Sequence, residues 1–404
     1  TNTTRTISNY TTQLTIENGT DSPVQYENVN FYANYSSTLF PVSGVGLTNY
    51  ELGRVIWNTT DFDSGQETYA VKFVDCENNG KNDCVATVAD QSGSGLGVFY
   101  RNGSLAFANS APADHPYTMA VGDLDNDSFE NEIVTIDYQY VSVFNESGNL
   151  VWQNLSAPGD RRVMDVAIGD FDNDSLSDDI VIVTAYDLPF QVIVYLTDDG
   201  KEWYEYWNRS YVGGDEIDIS DVDLDGIDDI IIASGSSVFV YKNNGTLLWN
   251  VSLGDNSNGI SAIDLDKDGN LNEVVFGGRD NVYAFEWNGI YNSDYTIADA
   301  IFTINLPTES EYIYEVEKID LDNDGFQDEF IVADEAYVFA FDNDSTELWN
   351  VSLVEGRKYS LRTSDINDDG ELEILVGSLS GILTVIDLNG TVLWRNSYGM
   401  YGFG

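Results

Sequence analysis

Positive charge is scarce in this sequence: 17 lysines and arginines stand against 69 aspartates and glutamates in 404 residues, a formal net charge of −52. With no basic patch to displace counterions from phosphates, nucleic acid is excluded as a natural partner. A folded chain with this surplus needs cations, high salt or wide charge spacing to limit self-repulsion. The one histidine, His115, has no Cys or Ser relay beside it and reads as a turn residue between repeats, not as a catalytic base. No run of 18 apolar residues occurs, so nothing here reads as a membrane-spanning helix. The chain starts at Thr1 with no leader-like stretch, and is expected to be a processed or trimmed form.

Cysteine is almost as rare. Cys76 and Cys84 share the segment DCENNGKNDC, and a disulfide across this turn is the preferred reading for a protein outside the cell. Two reduced thiols are the alternative, and a zinc site is not, because two thiolates without a nearby His fall short of four ligands. Sixteen Asn-x-Ser/Thr triplets point to the same compartment, two of them in the turn segments Asn244-Gly245-Thr246 and Asn389-Gly390-Thr391. A disordered acidic chain is excluded by what is abundant: 42% hydrophobic residues, with 8 Trp, 25 Tyr and 19 Phe, describe a packed protein.

Seven short acidic segments organise the chain. They start at Asp75, Asp123, Asp170, Asp221, Asp264, Asp320 and Asp365, about 43 to 56 residues apart, a spacing that signals a repeat architecture. Each repeat has the same internal order. In the second, YTMAVG (117–122) leads into the acidic loop, EIVTI (132–136) leads out, and VSVF (141–144) and LVWQ (150–153) flank a turn. Runs this short and this rich in Val and Ile are strands, too short for helices. The fourth run recurs around Trp249, Trp349 and Trp394, where a Trp at one register is expected to pack between neighbouring sheets. Four strands per repeat predict an all-β fold, a seven-bladed β-propeller over residues 64–404 with an acidic loop in each blade. Residues 1–63 are less regular. They read as a β-rich extension or as a degenerate eighth blade, with Gln13–Ile16, Val29–Ala33 and Arg54–Asn58 as candidate strands.

Aligned on their first residue, the loops carry an oxygen-bearing side chain at positions one, three, five and nine. These are Asp75, Glu77, Asn79, Asp83; Asp123, Asp125, Asp127, Asn131; Asp170, Asp172, Asp174, Asp178; and Asp221, Asp223, Asp225, Asp229. The last three loops offer Asp264, Asp266, Asp268, Asn272; Asp320, Asp322, Asp324, Asp328; and Asp365, Asn367, Asp369, Glu373. Position seven would give a backbone carbonyl, from Lys81, Phe129, Leu176, Ile227, Asn270, Phe326 and Glu371. So many carboxylates at close range repel one another unless a cation sits among them. Oxygen-only ligands with variable geometry favour calcium over magnesium, and about seven ions are expected. Position six is Gly80, Gly226, Gly269, Gly325 and Gly370 in five loops and Ser128 and Ser175 in two, where the chain must turn sharply. The flanking helices and twelfth-position Glu of an EF-hand are missing, which argues against a helix-based calcium switch.

Loops such as DLDNDSFEN, DVDLDGIDD and DLDNDGFQD resemble the FG-GAP/VCBS calcium-binding repeats of integrin α-subunit propellers and of many bacterial and archaeal surface proteins. The resemblance covers about residues 64–404 and implies a propeller whose loops hold calcium through positions one, three, five, seven and nine. Consistent Phe-Gly and Gly-Ala-Pro signatures are lacking, so it implies fold and calcium more than integrin-like ligand binding. The expected role is an extracellular or cell-surface scaffold for adhesion or self-assembly, with a protein partner or further copies of itself. Two other roles stay open: a carbohydrate-binding module, and a polysaccharide lyase or hydrolase with a carboxylate pair hidden among the acids.

Overall fold

The computed structural model describes residues 40–42, 46–51 and 54–58 and, from 68 to 397, all but the connections 77, 79–83, 90–95, 101–104, 110–117, 138–139, 156–161, 186–190, 198–199, 211, 213, 255–257, 308–311, 354–357, 365–371 and 379–381. Seven sheets follow one another along the chain, each with four antiparallel strands in chain order, and the fourth carries one further strand. The second is Thr118–Gly122, Glu132–Ile136, Tyr140–Phe144 and Leu150–Leu155, so the expected strands are all present within a residue or two. The first strands of successive sheets lie against one another around a common axis. This is the seven-bladed propeller that the repeat implies. Phe40–Val42, Gly46–Glu51 and Arg54–Asn58 form a separate three-stranded sheet, whose first strand touches Thr68–Val74 of the first blade. The other two N-terminal strands expected from the sequence lie outside the described residues.

Second strands read as unbroken apolar runs because they are covered on both faces. In Glu132–Ile136 all five residues are buried: Ile133 packs toward the first blade, Val134 and Ile136 toward the third. Ile230 and Ile232 likewise face the third blade while Ile231 and Ala233 face the fifth. The period of two divides one strand between two cores, and six such cores join the seven blades in sequence. Each fully buried Val or Ile contributes about 1.5–3 kcal/mol of transfer free energy.

The fourth strands interlock the blades from outside. A one-residue bulge recurs where third and fourth strands near their hairpin, next to the pairs Val143↔Trp152, Val240↔Trp249, Ala340↔Trp349 and Val385↔Trp394. The aromatic before the bulge reaches the next blade's hairpin turn. Trp207 lies on Gly245 and donates its indole N–H to the Asn243 carbonyl. Trp349 lies on Gly390 and donates to the Leu388 carbonyl at 2.8 Å. The expectation that the Trp pack between sheets is met at Trp249 and Trp349, whereas Trp394 lies against Leu375, Leu383 and Val385 of its own blade; the two turn sequons keep exposed Asn side chains at Asn244 and Asn389.

One blade departs from the pattern. Between its third and fourth strands the fifth blade inserts Glu286–Ile301, which accounts for the long gap between the fifth and sixth acidic loops. Within it, Ser293–Tyr295 pairs in parallel with the fourth blade's outer strand, a fifth strand that the sequence reading did not foresee. Tyr295 stacks on Trp249, ring centroids 5.1 Å apart, where the other blades bring a hairpin turn.

Around the axis, side chains bond one first strand to the next. Asp165 accepts from the Ile217 N–H (3.0 Å), Glu216 from Ile260 (3.2 Å) and Asp218 from Ala262 (2.8 Å). Arg362 of the seventh blade pairs with Glu315 (2.7 Å) and Glu317 (3.5 Å) of the sixth. Burial raises the Glu315 carboxyl above its ordinary range and the Arg362 charge opposes that rise.

Candidate metal centres

The acidic loop joins the first and second strands of each blade, and its second through sixth copies are described in full. Position one organises them. Asp123 accepts the Asp127 N–H on one oxygen (2.9 Å) and the Ser128 N–H on the other (2.8 Å). Asp221 does the same with Asp225 and Gly226, Asp264 with Asp268 and Gly269, and Asp320 with Asp324 and Gly325. Asp170 adds an Asn173 N–H to the set. Position five then accepts the N–H of position seven, as in Asp127 with Phe129 (3.0 Å) and Asp174 with Leu176 (2.9 Å).

This wrapping needs two left-handed residues. Position six is one: Gly226, Gly269 and Gly325 have φ of 88°, 91° and 95°, and Ser128 and Ser175 adopt 77° and 74° in their places. A Cβ at any of these three glycines would meet nothing within 4 Å, so it is backbone conformation that favours Gly there. Position four is the other, and the sequence reading passed over it. Asn78, Asn126, Asn173 and Asn323 hold it at φ of 52° to 65°, while Leu224 and Lys267 hold it against their preference.

Within single loops, carboxylates gather so that one oxygen of each lies within 4.8 Å of the others: Asp123, Asp125 and Asp127; Asp170, Asp172 and Asp179; Asp221, Asp223 and Asp225; Asp264, Asp266 and Glu273; Asp320, Asp322 and Glu329. Positions one and three are thus brought together as expected. The third member is position five in two loops and, in three, an acid that the sequence reading missed. That acid opens the second strand, and the same place holds Glu132, Asp229 and Glu373. One of its oxygens accepts the N–H of position two: Leu124 to Glu132 (3.0 Å), Phe171 to Asp179 (2.9 Å), Val222 to Asp229 (3.0 Å), Leu265 to Glu273 (2.8 Å) and Leu321 to Glu329 (2.7 Å). Position nine is buried as Asn131, Asp178, Asn272 and Asp328.

The first loop closes differently. Cys76 stands at position two and Cys84 opens the second strand, and they form a disulfide with Cα atoms 5.7 Å apart. A covalent bond occupies the place where the other loops use a carboxylate and an N–H. Asp75 is buried. Glu77, Asn79, Lys81 and Asp83, and in the seventh loop Asp365, Asn367, Asp369 and Glu371, lie outside the described residues.

The donor set fits a hard cation. Several buried oxygens here have no hydrogen-bond donor: Asn131 Oδ1, Glu132 Oε1, Asp229 Oδ1, Asn272 Oδ1 and Glu273 Oε1. A buried acceptor without a partner is costly, and a bound cation supplies one. Protons are the other way to relieve the charge. Burial, reinforced by Asp125, pushes Glu132 up to about 8; burial, reinforced by Asp223, pushes Asp229 up to about 8. Burial does the same to Asp179, Glu273 and Glu329, each to about 7. Neighbouring loops are also joined: Asp75 N–H to the Glu130 carbonyl (3.1 Å), Asp170 N–H to Asp228 Oδ2 (2.9 Å) and Asp264 N–H to the Gln327 carbonyl (3.2 Å).

The family model described as FG-GAP-like repeat matches residues 221–275, which hold the fourth and fifth loops. No curated protein matches the chain in sequence. Solved propellers match in shape. Sqt1 of Saccharomyces cerevisiae is 10% identical with a TM-score of 0.61, covering 82% of this chain and 85% of that one. Sqt1 from Chaetomium thermophilum is 12% identical at 0.58, with 80% and 83% covered, and the Dos1 propeller is 12% identical at 0.54, with 81% and 83% covered. At such identities the likeness is one of fold: the chain is a β-propeller with acidic clusters able to coordinate a metal ion.

Proposed function

We propose that this protein is a calcium-stabilised, FG-GAP-type propeller of the cell exterior that serves as a scaffold for adhesion or self-assembly. The observation that carries the reading is the set of buried, donorless loop oxygens beside clustered carboxylates. Bound calcium would supply the missing positive charge, and the residues to hold it are positions one, three and five together with the acid that opens the second strand. Binding to the folded ring alone adds about 2.7 kcal/mol per site when free calcium is a hundred times the dissociation constant. The disulfide and the exposed Asn244 and Asn389 sequons support an oxidising, glycosylating compartment. A non-catalytic role is supported by the use of the axial carboxylates Asp165, Glu216 and Asp218 as acceptors for the next blade's backbone.

Electron microscopy and thermal unfolding of the purified protein, with calcium and with excess chelator, test this together. The expected result is a large drop in melting temperature on chelation, with filaments or sheets that dissolve at the same time. An unchanged melting temperature would defeat the calcium reading. Dispersed single rings in calcium would defeat self-assembly and bring binding of a separate partner to the front.

A further inference from the structure

The fourth loop differs from its neighbours in what lies between its carboxylates. The Lys242 ammonium contacts Asp223 Oδ2 and lies 2.5 Å from Asp225 Oδ2, forming an ion pair with each. Its side chain is 10% exposed and that of Asp223 is 2% exposed. The ammonium also faces the Tyr291 ring, 5.9 Å from its centre, and Tyr291 belongs to the insertion that only the fifth blade carries among the described residues. A buried ammonium is stable only when paired, and here both partners are loop carboxylates.

The hairpins show that this lysine is a replacement. In four blades the residue at the end of the third strand or just after it donates its N–H to the carbonyl four residues on: Asn145 to Asn149, Lys242 to Thr246, Asp342 to Thr346 and Asp387 to Thr391. The equivalents of Lys242 are therefore Asn145, Asp342 and Asp387, none of which brings a positive charge. The sixth loop also meets a lysine, Lys267 of the fifth loop, at Asp324 (2.7 Å) and Asp328 (3.0 Å). That lysine is 32% exposed, and its two ion-pair partners lie outside the cluster of Asp320, Asp322 and Glu329. In the fourth loop the cluster is Asp221, Asp223 and Asp225, so Lys242 engages two of its three members.

We infer that Lys242 is a tethered cation that takes the metal position of the fourth loop, so this blade closes without calcium and the ring binds at most six ions. A divalent ion placed among the same carboxylates would stand beside the ammonium and be repelled by it. The inference rests on the calcium reading of the other loops and changes the expected stoichiometry of about seven.

The test counts calcium per chain by atomic emission after equilibrium dialysis, in the wild type and in two variants. Lys242→Met is expected to gain one ion per chain. Asp225→Asn, at a side chain that is 38% exposed and therefore tolerant of change, is expected to leave the count as it is. A wild-type count that falls by one in Asp225→Asn, or does not rise in Lys242→Met, overturns the inference and leaves calcium binding elsewhere intact. A wild-type count of zero sinks the calcium reading itself, and this inference with it.

Discussion

Gly148, in the outer hairpin of the second blade, lies directly beneath the Phe107 ring of the first: a Cβ there would come within 2.1 Å of Phe107 Cδ2, and the glycine has φ of 74°. Asn109 donates to the Gly148 carbonyl at 2.8 Å and holds the two blades together at the same point. Trp207 on Gly245 and Trp349 on Gly390 repeat the arrangement further round the ring.

Gly148→Ala should therefore lose stability twice, through the left-handed backbone and through overpacking, together roughly 2–4 kcal/mol. Gly226→Ala, with φ of 88° but open space around it, should lose only the backbone part, about 1–2 kcal/mol. Urea unfolding of both variants separates the two effects, and equal losses would show that the aromatic contact contributes nothing.

Without metal, stability should fall as pH rises. The carboxylates that open the second strands are raised in the folded state, so between the ordinary value of 4.5 and about 8 for Glu132 the folded protein holds more protons than the unfolded chain. Stability from this source is complete below the ordinary carboxylate value and is lost as pH climbs through that window. Urea midpoints in chelator across the range should show the decline, and Glu132→Gln should flatten part of it. Calcium should restore most at the alkaline end; a midpoint that rises with pH in chelator would contradict this account.

Much of this was legible in the sequence. The acidic period gave the blade count, and the short apolar run at 132–136 between turn signals gave a strand. Trp249, Trp349 and Trp394 marked the outer strands. What stayed hidden had physical reasons. Glu132, Asp179, Glu273 and Glu329 sit at position ten, while the equivalent Asp229 and Glu373 sit at position nine, because two loops are one residue shorter. Position nine caught Asp229 and Glu373, and alignment on the strand would have added the other four. Lys242 follows Asp225 by 17 positions and comes near it only because the third strand returns alongside the second. Ser293–Tyr295 gives no local sign that it will pair with the preceding blade.

The Cys76–Cys84 disulfide closes a short loop with a sequence separation of 8, for which chain entropy gives about 2–3 kcal/mol. Replacing both cysteines by serine should lower stability by that amount, measured by chemical denaturation. Loss on this scale should persist in saturating calcium, because the bond takes the place of the acid and N–H pair and not of an ion. Full rescue by calcium would contradict that assignment.

Glycan occupancy should follow geometry. Asn244 and Asn389 project from outer turns. Asn250 lies opposite Asp294 of the added strand, and with its amide turned so that the nitrogen faces them it donates to the Ser293 carbonyl (3.2 Å) and to Asp294 (2.8 Å). Peptide mapping of protein from a glycosylating host should find sugar at Asn244 and Asn389 and little at Asn250, and a fully occupied Asn250 would mean that the added strand does not pair there.

Each blade takes its four antiparallel strands from its own stretch of chain, and among the described residues no strand is shared between the last blade and the first. The ring is in this respect a split washer. Six of its joints are spanned by the chain itself, and the seventh is a seam with the ends of the propeller on either side. Tension drawn between those ends would load the seam first, at a place where no backbone ladder among the described residues resists it, and a protein that bears force on a cell surface would have to reinforce that one joint by other means.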